Sequence, residues 1–298
     1  MGHEMILRKG RKDGTIMKLC TFYISGETHV GVKTDGGIVD ITALGFPSEM
    51  NGIITGGEAM LSKIADAIDS VPTIDEANIR FGNIANPAKI VCEGLNYTDH
   101  ALETGGKAPE HPIFFSKFYD TLCPAGAAVT LPGWQRSYDY EAELVIVIGK
   151  HAYNVSDEDA FEYIFGFACG NDLSARDAQF LSTQWLAGKN FPGFAPAGPF
   201  VVTRDELDPD KDALSIMCYR NGEQVQNGNT SDMIFSCRRT LAYASRFFPL
   251  APGDLIFTGT PAGVIVGKPK ESRDWLKPGE VVTVVIEGIG ELTTTLVS

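Results

Sequence analysis

Two glutamates, Glu141 and Glu143, lie in the run Asp139-Tyr140-Glu141-Ala142-Glu143-Leu144, which leads into Val145-Ile146-Val147-Ile148-Gly149-Lys150. The run is β-branched and apolar, has the length of a buried strand and stops at Gly-Lys, so it reads as a strand. Alternation then puts Asp139, Glu141, Glu143, Val145 and Val147 on one face and Tyr140, Ala142, Leu144 and Ile146 on the other. A solvent face would stay polar to its end. This one turns apolar just past the glutamates, which places them at the rim of a pocket. Paired carboxylates repel unless one is protonated or a cation lies between them, and two oxygen donors at i and i+2 begin a site for a hard divalent ion. The plain alternative is a pair of solvated glutamates at a strand end.

Two further stretches carry chemistry. In Gly170-Asn171-Asp172-Leu173-Ser174-Ala175-Arg176-Asp177-Ala178-Gln179 an apolar strand stops at Gly170, and Ser174 with Asp177 forms a helix N-cap pattern. Asp172 then sits in the strand-to-helix turn, where it can cap the helix or bind a metal. Arg176 and Gln179 share a helix face and can hydrogen-bond a carboxylate or an oxo group. In Gly94-Leu95-Asn96-Tyr97-Thr98-Asp99-His100-Ala101-Leu102-Glu103-Thr104-Gly105-Gly106, His100 and Glu103 are neighbours on one helical turn. The glutamate can hold the imidazole proton and raise its basicity, or the two form a surface pair. Glycines on both sides suggest a segment able to move over a site. Lys117 in Phe115-Ser116-Lys117 and the lone Lys189 add cations. The Gly-rich Thr258-Gly259-Thr260-Pro261-Ala262-Gly263 lacks the Gly-Lys-Ser/Thr of a nucleotide loop, and no Gly-x-Ser-x-Gly elbow is present.

The elements that must hold these residues are short strands. From Met17, Leu19 to Ile24, Val30 to Lys33 and Ile38 to Ile41 read as hairpins, and a helix follows at about 57–70. Beyond Lys89, strands separated by turn residues alternate with helical stretches near 97–103, 175–184 and 231–247, the texture of a strand-rich α+β fold. The division expected is a disordered tail over 1–16, a small N-terminal β-plus-helix domain over 17–86 and a catalytic unit over 87–298. A chain of 298 residues that is 44% hydrophobic, with a net charge of -13, has a full core and lacks the basic surface that nucleic acid or an anionic membrane requires. No apolar run is long enough to cross a bilayer. Six scattered cysteines without Cys-x-x-Cys spacing read as reduced thiols of a cytoplasmic protein.

Taken in order, Gly94-Leu95-Asn96-Tyr97-Thr98-Asp99-His100, the Asp139–Leu144 strand, Gly170-Asn171-Asp172-Leu173-Ser174-Ala175-Arg176-Asp177 and Thr258-Gly259-Thr260-Pro261-Ala262-Gly263 resemble the fumarylacetoacetate hydrolase family. Trp275-Leu276-Lys277-Pro278-Gly279-Glu280 and Glu287-Gly288-Ile289-Gly290 look like that family's closing strands. The resemblance implies a mixed β-sandwich roll, a homodimer, and action on 2-oxo acids with Mg2+ or Mn2+. It implies Glu141, Glu143 and Asp172 as metal ligands and His100 with Glu103 as an acid/base dyad on a lid. Lys189 would join catalysis by stabilising an oxyanion. Arg176, Gln179, Thr260 and Tyr97 would contact substrate, with Lys117 as a further contact. The reaction implied is hydrolysis of a C–C bond in an acylpyruvate or related 2,4-dioxo acid. Decarboxylation of oxaloacetate and isomerisation of a hydroxymuconate-type substrate are the alternatives within the family, and a non-catalytic ligand-binding member is the alternative outside enzymes.

Overall fold

The computed structural model describes residues 17–69 and 71–298; the tail expected over 1–16 lies outside the described residues. Two sheets pack face to face. The larger has ten strands, in the order Gly37–Asp40, Glu27–Thr34, Lys18–Ile24, Val201–Thr203, Ile164–Asn171, Ala142–Ile148, Leu255–Phe257, Ile90–Gly94 and Ile113–Lys117, with Arg80–Phe81 added beside Lys18–Ile24. The smaller has five: Glu223–Asn229, Ser215–Arg220, Val281–Ile286, Gly290–Val297 and Ala128–Thr130. Pairing is mixed, because Leu255–Phe257 runs parallel to Ile90–Gly94 and Gly290–Val297 parallel to Ala128–Thr130, while the other pairs in these sheets are antiparallel. This is the strand-rich α+β architecture expected.

The strand Ala142–Ile148 lies at the middle of the molecule and is buried on both faces. Ala142, Leu144, Ile146 and Ile148 belong to the core shared with Ile216, Val282, Val284 and Leu292 of the smaller sheet. Val145 and Val147 pack with Ile53, Ile54 and Ile64 of the helix Met50–Ala67. Burying each such side chain contributes about 1.5–3 kcal/mol, so register here is firmly set. The expected continuous strand over 139–148 is instead two pieces, Tyr138–Asp139 and Ala142–Ile148, the first pairing with Ser174–Ala175.

Other departures have local causes. The helix expected at 57–70 starts at Met50 and kinks at Gly57, whose φ of 56° only glycine adopts without cost. The helix expected over 175–184 is a single turn, Arg176–Gln179, with no side-chain cap: Ser174 Oγ donates to Asp172 O, and Asp177 accepts from Arg136 N. The last helix shortens to Cys237–Ser245 because Ser236 caps Arg239 N and so fixes its start. The N-terminal strands continue the large sheet, with Leu19 opposite Val201, so hydrogen bonding runs across the boundary expected at 86.

Candidate active site

The antiparallel pairing of Ala142–Ile148 with Ile164–Asn171 sets Glu143 opposite Gly170 and Ala142 opposite Asn171. Beyond the last pair, Asp172 N donates to Glu141 O at 2.9 Å and Asn171 Oδ1 accepts from Glu141 N at 3.1 Å. The hairpin end therefore delivers Glu141, Glu143 and Asp172 together, with a ligand oxygen from each lying within 4.8 Å of the others. They are 5%, 2% and 0% exposed. The carboxylates thus form a floor, not the rim that alternation alone suggested.

Buried charge demands partners. Lys189 Nζ lies 2.5 Å from Glu141 Oε2 and 2.7 Å from Asp172 Oδ2. Arg176 bridges Glu141 Oε1 at 2.7 Å and Asp139 Oδ2 at 2.9 Å, and donates to Gln179 Oε1 at 2.9 Å. Lys117 Nζ, donating to the carbonyls of Leu173, Lys189 and Phe194, sits 2.6 Å from Asp172 Oδ1 without the geometry of a directed hydrogen bond. Four carboxylates (Asp139, Glu141, Glu143, Asp172) thus face three cations.

Glu143 is the one left over: it accepts from Gly259 N at 2.9 Å and has no ion-pair partner among the described residues. Burial, then Asp172 and Glu141, push its carboxyl well above the ordinary range. For Glu141, burial acts upward, but Lys189 and Arg176 outweigh it and hold the group well below the ordinary range. Lys189 is raised in turn, Asp172 and Glu141 overcoming its burial. Three converging carboxylates with one uncompensated charge are a donor set that fits a hard divalent ion.

His100 closes one side of the same space. Its Nδ1 lies 2.9 Å from Glu103 Oε1, and Gly263 N donates to Glu103 Oε2 at 3.0 Å. The helix Thr98–Glu103 thus packs against the 258–263 loop. His100 is 5% exposed, which excludes a surface pair. A cavity of about 260 Å³ is lined by the triad, His100, Arg176, Gln179, Lys189 and Thr260, with Leu95, Phe115, Phe180, Trp185 and Val266 as apolar wall. Lys189 Nζ stands 5.0 Å from the Phe115 ring centre, and Phe115 meets Trp185 edge-on.

Of the residues singled out from sequence, Tyr97 does not belong with the substrate contacts. It is buried, its hydroxyl lacks a partner among the described residues, and it does not line the cavity; it bridges to Met233 instead. Thr260 lines the cavity, and its Oγ1 accepts from Gln226 Nε2 at 2.8 Å. Gln226 comes from the smaller sheet, and no local signal marks it. Asp139 earned no role from sequence beyond its place on the carboxylate face. Here it anchors Arg176 and accepts from Ile265 N and Val266 N. Phe115 and Trp185 likewise carried no sequence signal for a cavity wall. All six cysteines are buried and unpaired. No helix among the described residues is long and apolar enough to cross a membrane.

Comparison with known proteins bears on this arrangement. Residues 89–297 match the family model described as fumarylacetoacetate (FAA) hydrolase C-terminal. The chain is 38% identical over 299 residues to a fumarylacetoacetate hydrolase domain-containing protein 2 homolog of Dictyostelium discoideum, covering 94% of this chain and 97% of that one. It is 39% identical over 272 residues to the mitochondrial oxaloacetate tautomerase fahd2 of Xenopus laevis, covering 89% and 84% respectively. Among solved structures, the fumarylacetoacetate hydrolase of Exiguobacterium antarcticum superposes with a TM-score of 0.84 at 32% identity, covering 95% of this chain and 99% of that one.

Proposed function

This chain belongs to the fumarylacetoacetate hydrolase family, and on that premise we propose that it is a divalent-metal-dependent enzyme interconverting the keto and enol forms of a small 2-oxo acid of the oxaloacetate type. One observation carries the reading: a carboxylate triad suited to a hard cation and a histidine held by a carboxylate line a single cavity. The tautomerase name of the Xenopus relative supports it.

Enolisation breaks a C3–H bond and forms an O–H bond on the former 2-oxo oxygen. It needs a base beside C3 and compensation for charge growing on the oxygen. Glu141, Glu143 and Asp172 would hold a Mg2+ or Mn2+ ion, which when bound supplies Lewis acidity toward the oxo-acid oxygens. His100 Nε2 takes the C3 proton while Glu103 keeps the Nδ1 proton and orients the ring, and Gly263 N–H keeps Glu103 in place. The imidazolium then delivers that proton to the oxygen. Lys189 and Arg176 offset the substrate carboxylate. Gln179, its carbonyl taken by Arg176, offers its amide N–H, and Thr260, its oxygen engaged by Gln226, offers its O–H.

Cleavage of an acylpyruvate C–C bond is the second reading, favoured by the hydrolase title of the Exiguobacterium structure; the same dyad would then deprotonate water. The test follows enol oxaloacetate by its ultraviolet absorbance, pyruvate release in the same sample, and loss of acetylpyruvate, each in chelator and with metal restored. Metal-dependent loss of the enol without pyruvate supports tautomerisation. Acetylpyruvate cleavage alone moves the function to hydrolysis, pyruvate release moves it to decarboxylation, and unchanged enol decay overturns the proposal. Glu141→Gln should remove the metal-dependent rate. Homodimeric assembly and a reducing compartment complete the proposal, the latter supported by six buried free thiols; light scattering tests the former.

A further inference from the structure

The strand Ile90–Gly94 carries an acid that the mechanism does not use. Glu93 is 1% exposed, borders the same cavity as the carboxylate triad, and shares a face with Val91, its carboxyl reaching the helix Cys237–Ser245; Cys92 and Gly94 face the other way, Gly94 against Trp185 of the cavity wall. Its Oε2 accepts from Thr240 Oγ1 at 2.6 Å and from Asn96 Nδ2 at 3.3 Å, and its Oε1 has no partner among the described residues. Asn96 fastens the turn that follows. Nδ2 also donates to Thr258 O at 2.8 Å and Phe235 O at 3.0 Å, so its two hydrogens are shared among three acceptors of which Glu93 is the most distant, and Oδ1 accepts from Phe235 N. The next residue, Tyr97, is the N-cap position of the helix that carries His100 and Glu103.

We propose that Glu93 is a positioning residue for His100: its carboxyl ties the turn that launches the Thr98–Glu103 helix to the helix Cys237–Ser245, and a negative charge on it loosens that turn. The proposal rests on the reading of His100 as the proton-transfer group.

A neutral carboxyl with two hydrogen bonds is tolerated in a core, whereas an ionised one without a cation is costly and draws water in. No side chain among the described residues supplies that cation. On the facing helix, Cys237 is a thiol pushed well up by burial and by Asp210, and Arg238 is held by Asp208 and Asp210. Tyr97 is pushed well up by burial, then by Cys237 and Glu143. Phe114 is opposite Glu93 on the neighbouring strand, flanked by Tyr243, on which His111 stacks. Toward the cavity stand His100 and, behind Gly259, Glu143. Burial accordingly pushes Glu93 up to about 8, the Thr240 hydroxyl acting the other way.

The experiment is amide hydrogen exchange over residues 96–104, corrected for intrinsic base catalysis, from about pH 6.5 to about pH 9.5, alongside kcat/KM on oxaloacetate. It is run on wild type, Glu93→Gln and Thr240→Val. Glutamine keeps both acceptor bonds and does not titrate. Wild type should lose protection about tenfold or more on crossing roughly pH 8, with kcat/KM falling at the same midpoint. Glu93→Gln should hold both flat, and Thr240→Val should exchange fast already at the acid end. A Glu93→Gln profile that repeats the wild-type fall, or a wild type flat throughout, overturns the proposal. If exchange behaves as expected while His100→Ala leaves turnover intact, the tie stands and the role of His100 is what fails.

Discussion

Replacing Lys189 with methionine keeps the length of the side chain and deletes the charge that bridges Glu141 and Asp172. Lys189 is 2% exposed, and its Nζ lies 2.5 Å from one carboxylate and 2.7 Å from the other. With it, four buried carboxylates face three cations; without it, they face Lys117 and Arg176 alone. Breaking a buried ion pair from one side costs about 3–5 kcal/mol. Lys117 stays beside Asp172 and Arg176 on Glu141, so the lower end, about 3 kcal/mol, applies. At roughly 2 °C per kcal/mol for a chain of this length, melting in chelator should fall by about 6 °C. A divalent ion restores the missing positive charge and no longer competes with the ammonium for the same oxygens. Saturating Mg2+ or Mn2+ should therefore raise the melting temperature of Lys189→Met by about 6 °C more than that of wild type. Differential scanning calorimetry in chelator and across a metal series reads both shifts. A variant that melts within about a degree of wild type in chelator, or equal metal-induced shifts in the two proteins, would refute the reasoning that lysine and metal share one charge-balanced site.

Three other outcomes follow from the same geometry. His100→Ala should lower metal-dependent turnover about 10²–10⁴-fold with circular dichroism unchanged, and Glu103→Ala should cost less, since it orients the ring without exchanging the substrate proton; equal turnover in His100→Ala and wild type removes the dyad from the mechanism. A Cβ on Gly94 would run into Cζ3 of Trp185. Gly94→Ala should therefore destabilise by about 1–3 kcal/mol and Gly94→Ala/Trp185→Ala should recover part of that, additivity in the double-mutant cycle being the contrary result. Glu93 sits at about 8 in the folded chain against an ordinary 4.5. Between those values the folded chain keeps a proton that the unfolded chain has lost. The stabilisation is thus full below about pH 4.5 and disappears as pH rises through about 8, an effect of at most about 5 kcal/mol. Urea midpoints should decline across that window in wild type and decline less in Glu93→Gln; parallel curves would contradict it.

Side-chain alternation is a property of the strand itself, so Asp139, Glu141, Glu143, Val145 and Val147 could be put on one face from their order alone; the structure keeps Glu143, Val145 and Val147 together on the strand Ala142–Ile148, whereas Asp139 sits on a separate strand and Glu141 in the break between the two. The i, i+3 spacing likewise made His100 and Glu103 neighbours, and their 2.9 Å contact follows from one helical turn. Most strands were legible for the same reason, since apolar alternation and Asn-Gly or Gly-rich turns act over a few residues. Depth was not legible. Whether a face ends at a rim or a floor depends on what covers it, and here the carboxylates are covered by His100, Phe115, Trp185, Lys189 and Val266, which come from separate parts of the chain. Charge balance was legible only as a requirement. Lys117 reaches the carbonyl of Leu173, beside Asp172, across 56 residues, and Gln226 reaches Thr260 across 34. No spacing encodes such meetings, because a buried ion pair is set by the distance between folded elements and not by the order of residues along either one.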